Sequence, residues 1–341
     1  MQRFKSQDIV EIGRLHSGTS AQFIGYNTRT NKKGIYKENG CILGIDNDDI
    51  REKLSSDILR TLEIPCADID LVYDEQNNRN SYFSNYIIED NEELIVPDTS
   101  GLEGSSKDPI DNLYERYIGG VRKLTTDEQA LASARKNFYS YTYMCCILDS
   151  YDIKPDNLPL VHNKETSALY PAPWFDFGTA FCKDHKSAPI YEMSTDKMME
   201  SLFKNHYEDI KEVVGKVNTT LTQDKLNELF SNEYLIETFS EGEIKKIRSR
   251  LDSQIAKSKG LEIITSKGRS PNKFKSFILS IKSKLGNIFN KDKHKQLPED
   301  TTYTTPTKPL DASFIDNLHS LANESIEYKD YPPTEHTPKE L

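Results

Sequence analysis

The chain has 341 residues, of which 36% are hydrophobic and 29% charged, and a formal net charge of −10. Its length suits one large two-lobed domain with an appendage, and no apolar run approaches the roughly 18 residues of a membrane span. Five cysteines without a C-x-x-C spacing exclude a disulfide framework or thiolate zinc site as the organising feature, and they read as small buried hydrophobes. The opening "MQRFKSQDIVEIG" lacks the basic, apolar and small-residue regions of a secretory signal, so a cytoplasmic protein is expected. The net charge conceals an asymmetry. Between Lys245 and Lys295 fifteen Lys and Arg stand against three acids, a local +12 that leaves −22 for the remainder.

In chain order, residues 8–45 alternate short apolar runs with glycines, which predicts an antiparallel N-terminal sheet of twisted hairpins. Within it, "HSGTSAQFIGY" offers Gly18, Thr19 and Ser20 as a loop whose backbone amides would cover phosphates, and "GIYKENG" puts Lys37 in an alternating strand. "DDIREKLSSDILRTLEIP" follows as a helix with Ile50, Leu54, Ile58 and Leu62 on one stripe and Pro65 as its stop. Its carboxylate Glu52 is the first candidate partner for Lys37, with Asp57 second. "DIDLVYDE" and "SYFSNYIIED" return to strands, and residues 90–125 read as a polar connection around a few short helical turns. "TDEQALASARKNFYSYTYMCCILDS" begins with a Thr-Asp cap and becomes apolar, as a helix entering a packed interior does. Residues 191–260 read as mostly helical with a turn near Asn218 to Thr222, and a linker, a short helix at 311–328 and a Pro-rich acidic tail close the chain.

Two runs carry chemistry. "YDIKPDNLPLV" (151–161) contains a base candidate, Asp152, a cation for a transferring phosphoryl group, Lys154, and an amide oxygen for a metal, Asn157. "WFDFGTAF" (174–181) supplies a metal carboxylate, Asp176, with Gly178 to turn the chain away directly after it. Mg²⁺ takes one or two protein carboxylates and completes its octahedron with phosphate and water oxygens, so this sparse set suits ATP with Mg²⁺ or Mn²⁺. Each run alone is weak, since Asp, Lys and Asn are common turn residues. Their order after a long helix, with Lys37 upstream, makes a metal-assisted phosphotransferase the expectation.

"CCILDSYDIKPDNLPLV", "YPAPWFDFGTAF" and "REKLSSDILRTLEIP" together resemble the HipA-like branch of atypical protein kinases. Over roughly residues 10–260 the resemblance implies an α+β bilobal kinase fold, with a small β-rich N-lobe at 1–90 and a larger helical C-lobe at 91–262. It implies ATP-binding residues Lys37 and Glu52, metal ligands Asn157 and Asp176, and Asp152 as catalytic residue. A Ser/Thr protein kinase is the activity expected first, with a small molecule or phosphoinositide as alternative acceptor and a pseudokinase scaffold as the non-enzymatic alternative. An effector delivered into a host cell is compatible with it. Two departures stand out: Asp152-Ile153-Lys154 replaces the Asp-Arg-His of that branch, and Tyr151 occupies the place where regulated kinases carry an arginine.

The segment 263–297 predicts a basic amphipathic helix. Phe274, Phe277, Ile278, Ile281, Leu285, Ile288 and Phe289 fall within about 120° of one face, flanked by Lys273, Lys275, Lys282 and Lys284. Such a helix suits either an anionic membrane bearing phosphatidylinositol 4-phosphate or docking on its own lobe. The basic run Lys245 to Lys259 is a second candidate cation site, for an activating inositol polyphosphate. No nucleic-acid module is recognisable, and no nucleic-acid partner is expected.

Overall fold

The computed structural model describes residues 3–14, 22–38, 47–76, 78–85, 89, 91–181 and 193–266. The expected phosphate loop with Gly18, Thr19 and Ser20 lies outside the described residues, as does everything from 267 onward, including Lys273, Phe274, Lys275, Phe277, Lys282 and Lys284. The chain divides into two units, Met1–Thr265 and Ser266–Leu341. The strands and helices belong to the first unit, apart from Ser266 at the end of the last helix.

The N-terminal sheet has six strands: β1 (Phe4–Lys5), β2 (Ile9–Arg14), β3 (Gln22–Asn27), β4 (Lys32–Glu38), β5 (Ile69–Asp74) and β6 (Arg79–Asn85), in spatial order β1-β5-β6-β4-β3-β2. The hairpins expected over residues 8–45 are antiparallel, β2 with β3 and β3 with β4, while β1, which precedes them, runs parallel to β5 across a long connection. Side-chain alternation divides the sheet into two faces. Tyr36, Val72 and Phe83 share one with Ile9, and the Tyr36 hydroxyl donates to Ser81 Oγ at 2.9 Å. Lys37 pairs in register with Tyr82 and therefore points to the other face, where Ala67, Ile69 and Tyr82 pack with Phe175. Helix α1 (Asp48–Thr61) packs by this sheet and buries Ile50, Leu54 and Ile58 completely, as their spacing predicts.

The C-lobe is built around α3 (Glu128–Ile147), started by the Asp127 carboxylate accepting from Gln129 N. All its residues from Phe138 to Ile147 are buried, so the lobe packs against it from every side. Helix α2 (Pro109–Arg122) corrects the expectation of short turns in 90–125. Asp108 caps it by accepting from Ile110 N, Pro109 fits its first position, and Ile110, Tyr117, Ile118 and Val121 form its buried stripe. A small antiparallel sheet, β7 (Glu92–Ile95), β8 (Leu160–Asn163) and β9 (Leu169–Pro171), follows the order β7-β8-β9. Helices α4 (Thr195–Asn205), α5 (Tyr207–Thr220), α6 (Gln223–Phe230), α7 (Glu233–Thr238) and α8 (Glu241–Ser266) complete the lobe. The expected turn near Asn218 to Thr222 is the α5–α6 junction, and α8 runs through the boundary expected at 262.

Gly34 shows how tightly the N-terminal sheet is drawn together. A Cβ there would meet the Ser84 carbonyl at 2.4 Å and the Phe83 ring at 2.7 Å, whereas one at Gly215 in α5 would meet nothing within 4 Å. Gly34→Ala should therefore lower the urea midpoint, while Gly215→Ala should raise stability by roughly 0.5–1 kcal/mol through helix propensity. Equal midpoints for the two variants would contradict the close approach of β4 and β6.

Candidate active site

The catalytic-loop candidate begins where α3 ends. Asp149 adopts a left-handed φ of 49°, the Ser150 amide donates to Cys145 O at 2.8 Å, and buried Ile153 anchors the following turn. Pro155–Asn157 forms one tight helical turn before the buried run Leu158, Leu160 and Val161 enters β8. This folds the side chains of "DIKPDN" together. Lys154 Nζ lies 2.8 Å from Asp152 Oδ2, and Asn157 Nδ2 donates to Asp152 O at 2.9 Å and to Tyr141 Oη at 3.4 Å.

The second run is fastened to the N-lobe by backbone. Trp174 N donates to Pro65 O at 2.9 Å, and Ala67 N donates to Trp174 O at 2.8 Å, so the segment after α1 and the segment before Asp176 pair as a short parallel bridge. Trp174 Nε1 donates to Asn137 Oδ1 at 2.8 Å, which ties the same residue to α3. Asp176 therefore follows a bridge rather than ending a regular strand, and it takes a left-handed φ of 68°. Its amide donates to Glu52 Oε1 at 2.8 Å, while Phe177 packs against Tyr141 with ring centroids 5.2 Å apart. At Gly178 a Cβ would stand 3.4 Å from Asp48 Cβ and 3.6 Å from Glu52 Oε2, so the glycine lets the turn pass close to α1.

Lys37, Glu52, Asp152, Lys154, Asn157 and Asp176 thus come together. Lys37 Nζ forms an ion pair with Asp176 Oδ1 at 3.0 Å across 139 residues of sequence, and Lys154 Nζ stands 3.9 Å from Asp176 Oδ2. The expected Lys37–Glu52 pair takes a different form. The ammonium goes to Asp176, and Glu52 is committed to the Asp176 amide, which draws its oxygen toward the metal-site backbone. Asp57, the second candidate, pairs with Lys53 at 2.8 Å and accepts from Tyr234 Oη at 2.8 Å, away from Lys37.

Burial lowers the Lys37 pKa, but the carboxylates of Asp176, Glu52 and Asp48 outweigh it and leave the value raised. Burial alone would raise Asp176; Lys37 and Lys154 overcome it and hold the carboxyl below its ordinary range. Glu52 goes the other way: burial, reinforced by the Asp176 charge and opposed by Lys37, pushes its pKa up to about 8. Its Oε2 is buried without a hydrogen-bond partner among the described residues, which adds to the cost of ionising the carboxyl.

The donor set fits a hard divalent cation. Both Asn157 Nδ2 contacts with Asp152 leave the amide oxygen as an acceptor, and Asp176 is kept ionised. Among the described residues no group of three or more His, Cys, Asp and Glu forms a complete metal cage, so an ion on Asn157 and Asp176 would draw its remaining oxygens from phosphate and water. Residues that sequence reasoning did not single out also serve the site: Tyr141 supports Asn157, Arg51 Nη1 donates to Ala180 O at 3.1 Å, and Arg250 Nη1 donates to Phe181 O at 2.6 Å. The aromatic run "YSYTYM" at the end of α3 was a signal for Tyr141; the arginines had none.

The basic run on α8 spreads its charge among internal partners. Lys245 pairs with Glu241 at 2.6 Å, Arg248 with Asp252 at 3.0 Å, and Lys257 with Asp196 at 3.1 Å and Glu200 at 3.3 Å. With Arg250 on Phe181, each of these four cations is engaged within the chain.

Among solved structures, the proinflammatory kinase CtkA of Helicobacter pylori is similar to this chain at 14% identity, covering 75% of this chain and 98% of that one with a TM-score of 0.50. HipA, in the Shewanella oneidensis MR-1 complex with HipB and operator DNA, matches at 11% identity over 72% of this chain and 65% of that one, with a TM-score of 0.46. The Golgi casein kinase matches at 10% identity over 76% and 74%, with a TM-score of 0.41. No protein-family model and no curated protein matches the sequence. The likeness to the H. pylori kinase shows the fold alone: a bilobal α+β kinase-like fold.

The Glu52 pKa in the folded chain lies above its ordinary 4.5, so the stability linked to this group is fully present below about pH 4.5 and is lost as pH rises through about 8. Glu52→Gln keeps an oxygen for the Asp176 amide and cannot ionise. Urea midpoints between pH 5 and 9 should fall more steeply for the wild type than for this variant, and parallel profiles would contradict the assignment.

Proposed function

We propose that this chain is an ATP-dependent phosphotransferase whose acceptor is a serine or threonine hydroxyl of a protein. The observation that carries the proposal is the convergence of Lys37, Asp176, Lys154, Asp152 and Asn157 from two lobes on one site. Lys37 is held ready as a cation for nucleotide phosphates, and Asp176 and Asn157 would hold Mg²⁺ or Mn²⁺, which when bound neutralises phosphate charge. Asp152 stands beside the Lys154 ammonium at 2.8 Å, where it orients the acceptor hydroxyl and receives its proton. As the new phosphorus–oxygen bond to the acceptor forms, the bond from the γ-phosphorus to the β,γ-bridging oxygen breaks. ADP leaves, the proton resides on Asp152, and Lys154 balances the charge spreading over the phosphoryl oxygens.

Association with membranes bearing phosphatidylinositol 4-phosphate belongs to this proposal on the strength of the sequence at 263–297. An inositol polyphosphate activator would have to compete with Glu241, Asp252, Asp196 and the Phe181 carbonyl for the α8 cations.

Incubation of the full chain with γ-labelled ATP, Mg²⁺ or Mn²⁺ and a protein mixture should give labelled phosphoserine or phosphothreonine. Asp152→Ala and Asp176→Ala should each lower the rate by roughly 10²-fold or more, with unchanged far-UV circular dichroism. Undiminished transfer in both variants would sink the proposal, and labelled lipid or small molecule in place of protein would move the acceptor to the alternative class.

A further inference from the structure

We infer that Arg250 on α8 is a positioning residue for phosphoryl transfer, fixing the chain that leaves the metal segment against the base of the catalytic loop. The inference rests on the phosphotransferase proposal and adds a residue far outside either sequence run.

Three consecutive residues after Gly178 are tied down one by one. Thr179 Oγ1 and Ser150 Oγ share a hydrogen bond at 2.9 Å. Ala180 O accepts from Arg51 on α1 at 3.1 Å, and the Ala180 amide donates to Phe177 O at 2.8 Å. Phe181 N donates to Leu148 O at 2.9 Å, and its carbonyl accepts from Arg250 Nη1 at 2.6 Å. Phe181 is a buried aromatic residue with φ 58°, a backbone state rare for bulky side chains and sustained only where surrounding contacts over-determine it. The Arg250 donation is one such contact.

Arg250 also faces Asp149 Oδ2 at 3.9 Å, the residue with which the catalytic loop begins. Asp149 is itself left-handed and accepts from Tyr151 Oη at 3.2 Å and Thr195 Oγ1 at 3.1 Å. The guanidinium thus joins two left-handed turns, one three residues before Asp152 and one five residues after Asp176. Tyr151 reaches the same carboxylate with a hydroxyl, and the cation facing it comes from α8. One face of that helix continues the contact: Gln254 Nε2 donates to Thr195 Oγ1 at 3.5 Å and Lys257 Nζ to Asp196 O at 2.9 Å, at the start of α4.

Displacing a reacting group by about 1 Å costs on the order of 10²-fold in rate. Arg250→Met, which keeps an apolar stem, should lower kcat for labelled-phosphate transfer roughly 10- to 100-fold in the full chain. ADP affinity by calorimetry should stay within about two-fold, since the guanidinium touches neither Lys37 nor Asp176. Arg250→Lys, which can still donate to Phe181, should recover most of the rate, and Glu241→Ala on the exposed side of α8 should change nothing. Wild-type kcat in Arg250→Met would overturn the inference. So would a rate loss matched by loss of folded protein or of ADP binding, because the residue would then be merely structural. Absence of transfer by the wild type itself, or transfer that survives Asp152→Ala, would speak against the phosphotransferase proposal instead.

Discussion

The ion pair between Lys37 and Asp176, 3.0 Å long and largely buried, is the interaction on which the arrangement of the site depends. Two charges withdrawn from water gain little net stability, because the desolvation cost offsets most of their attraction. The contribution of such a pair is therefore to position. Here the surroundings remove the alternatives: Lys154 balances the second oxygen of Asp176, Glu52 accepts the Asp176 amide, and the ring of Tyr82 lies 5.7 Å from the Lys37 ammonium. Each of these partners comes from a different part of the chain, so the charge pair can form only when both lobes are folded and in register.

Glu52 shows how the same cluster assigns different protonation states to chemically similar groups. Asp176 has two ammonium groups near it and stays ionised below the usual carboxylate range. Glu52 sits behind it, more dominated by burial and by the Asp176 charge, and its carboxyl is pushed toward the neutral form. Separating the affinities of neighbouring carboxyls in this way leaves one charged between two ammonium groups and the other available as a hydrogen-bonding support. The support acts through the backbone, which fixes the left-handed turn at Asp176 rather than the tip of its side chain.

The chain around this turn is held along its length. Before Asp176, Trp174 bridges Pro65 and Ala67 and reaches Asn137; after it, Phe177 packs on Tyr141 and the next residues are fastened to the start of the catalytic loop. These two segments hold left-handed, non-glycine backbone at Asp149, Asp176 and Phe181, a state that the described residues also show at Asn31, Asn47, Glu63, Asn78 and Ser167. Strained turns of this sort persist where tertiary contacts outweigh their local cost, and they place side chains that regular structure would aim elsewhere.

How much of this was legible in the sequence depends on which interactions are local. The α1 stripe of Ile50, Leu54 and Ile58 and the strand bearing Lys37 are dictated by periodicity within a few residues, and they stand as expected. Helix α2 was hidden because its cap, Asp108, lies in a Ser- and Pro-rich run that reads as loop until Ile110, Tyr117 and Val121 are seen to share a buried face. The residue types of the candidate site were legible in the sequence alone, in "GIYKENG", "DIKPDN" and "WFDFG". Their partnerships were decided only by tertiary structure: which carboxylate Lys37 takes, which backbone Glu52 supports, and which arginine reaches Phe181. The reason is physical. A buried charge chooses its partner by distance and dielectric after the lobes have met, and residues 139 positions apart in sequence carry no local signal of that meeting.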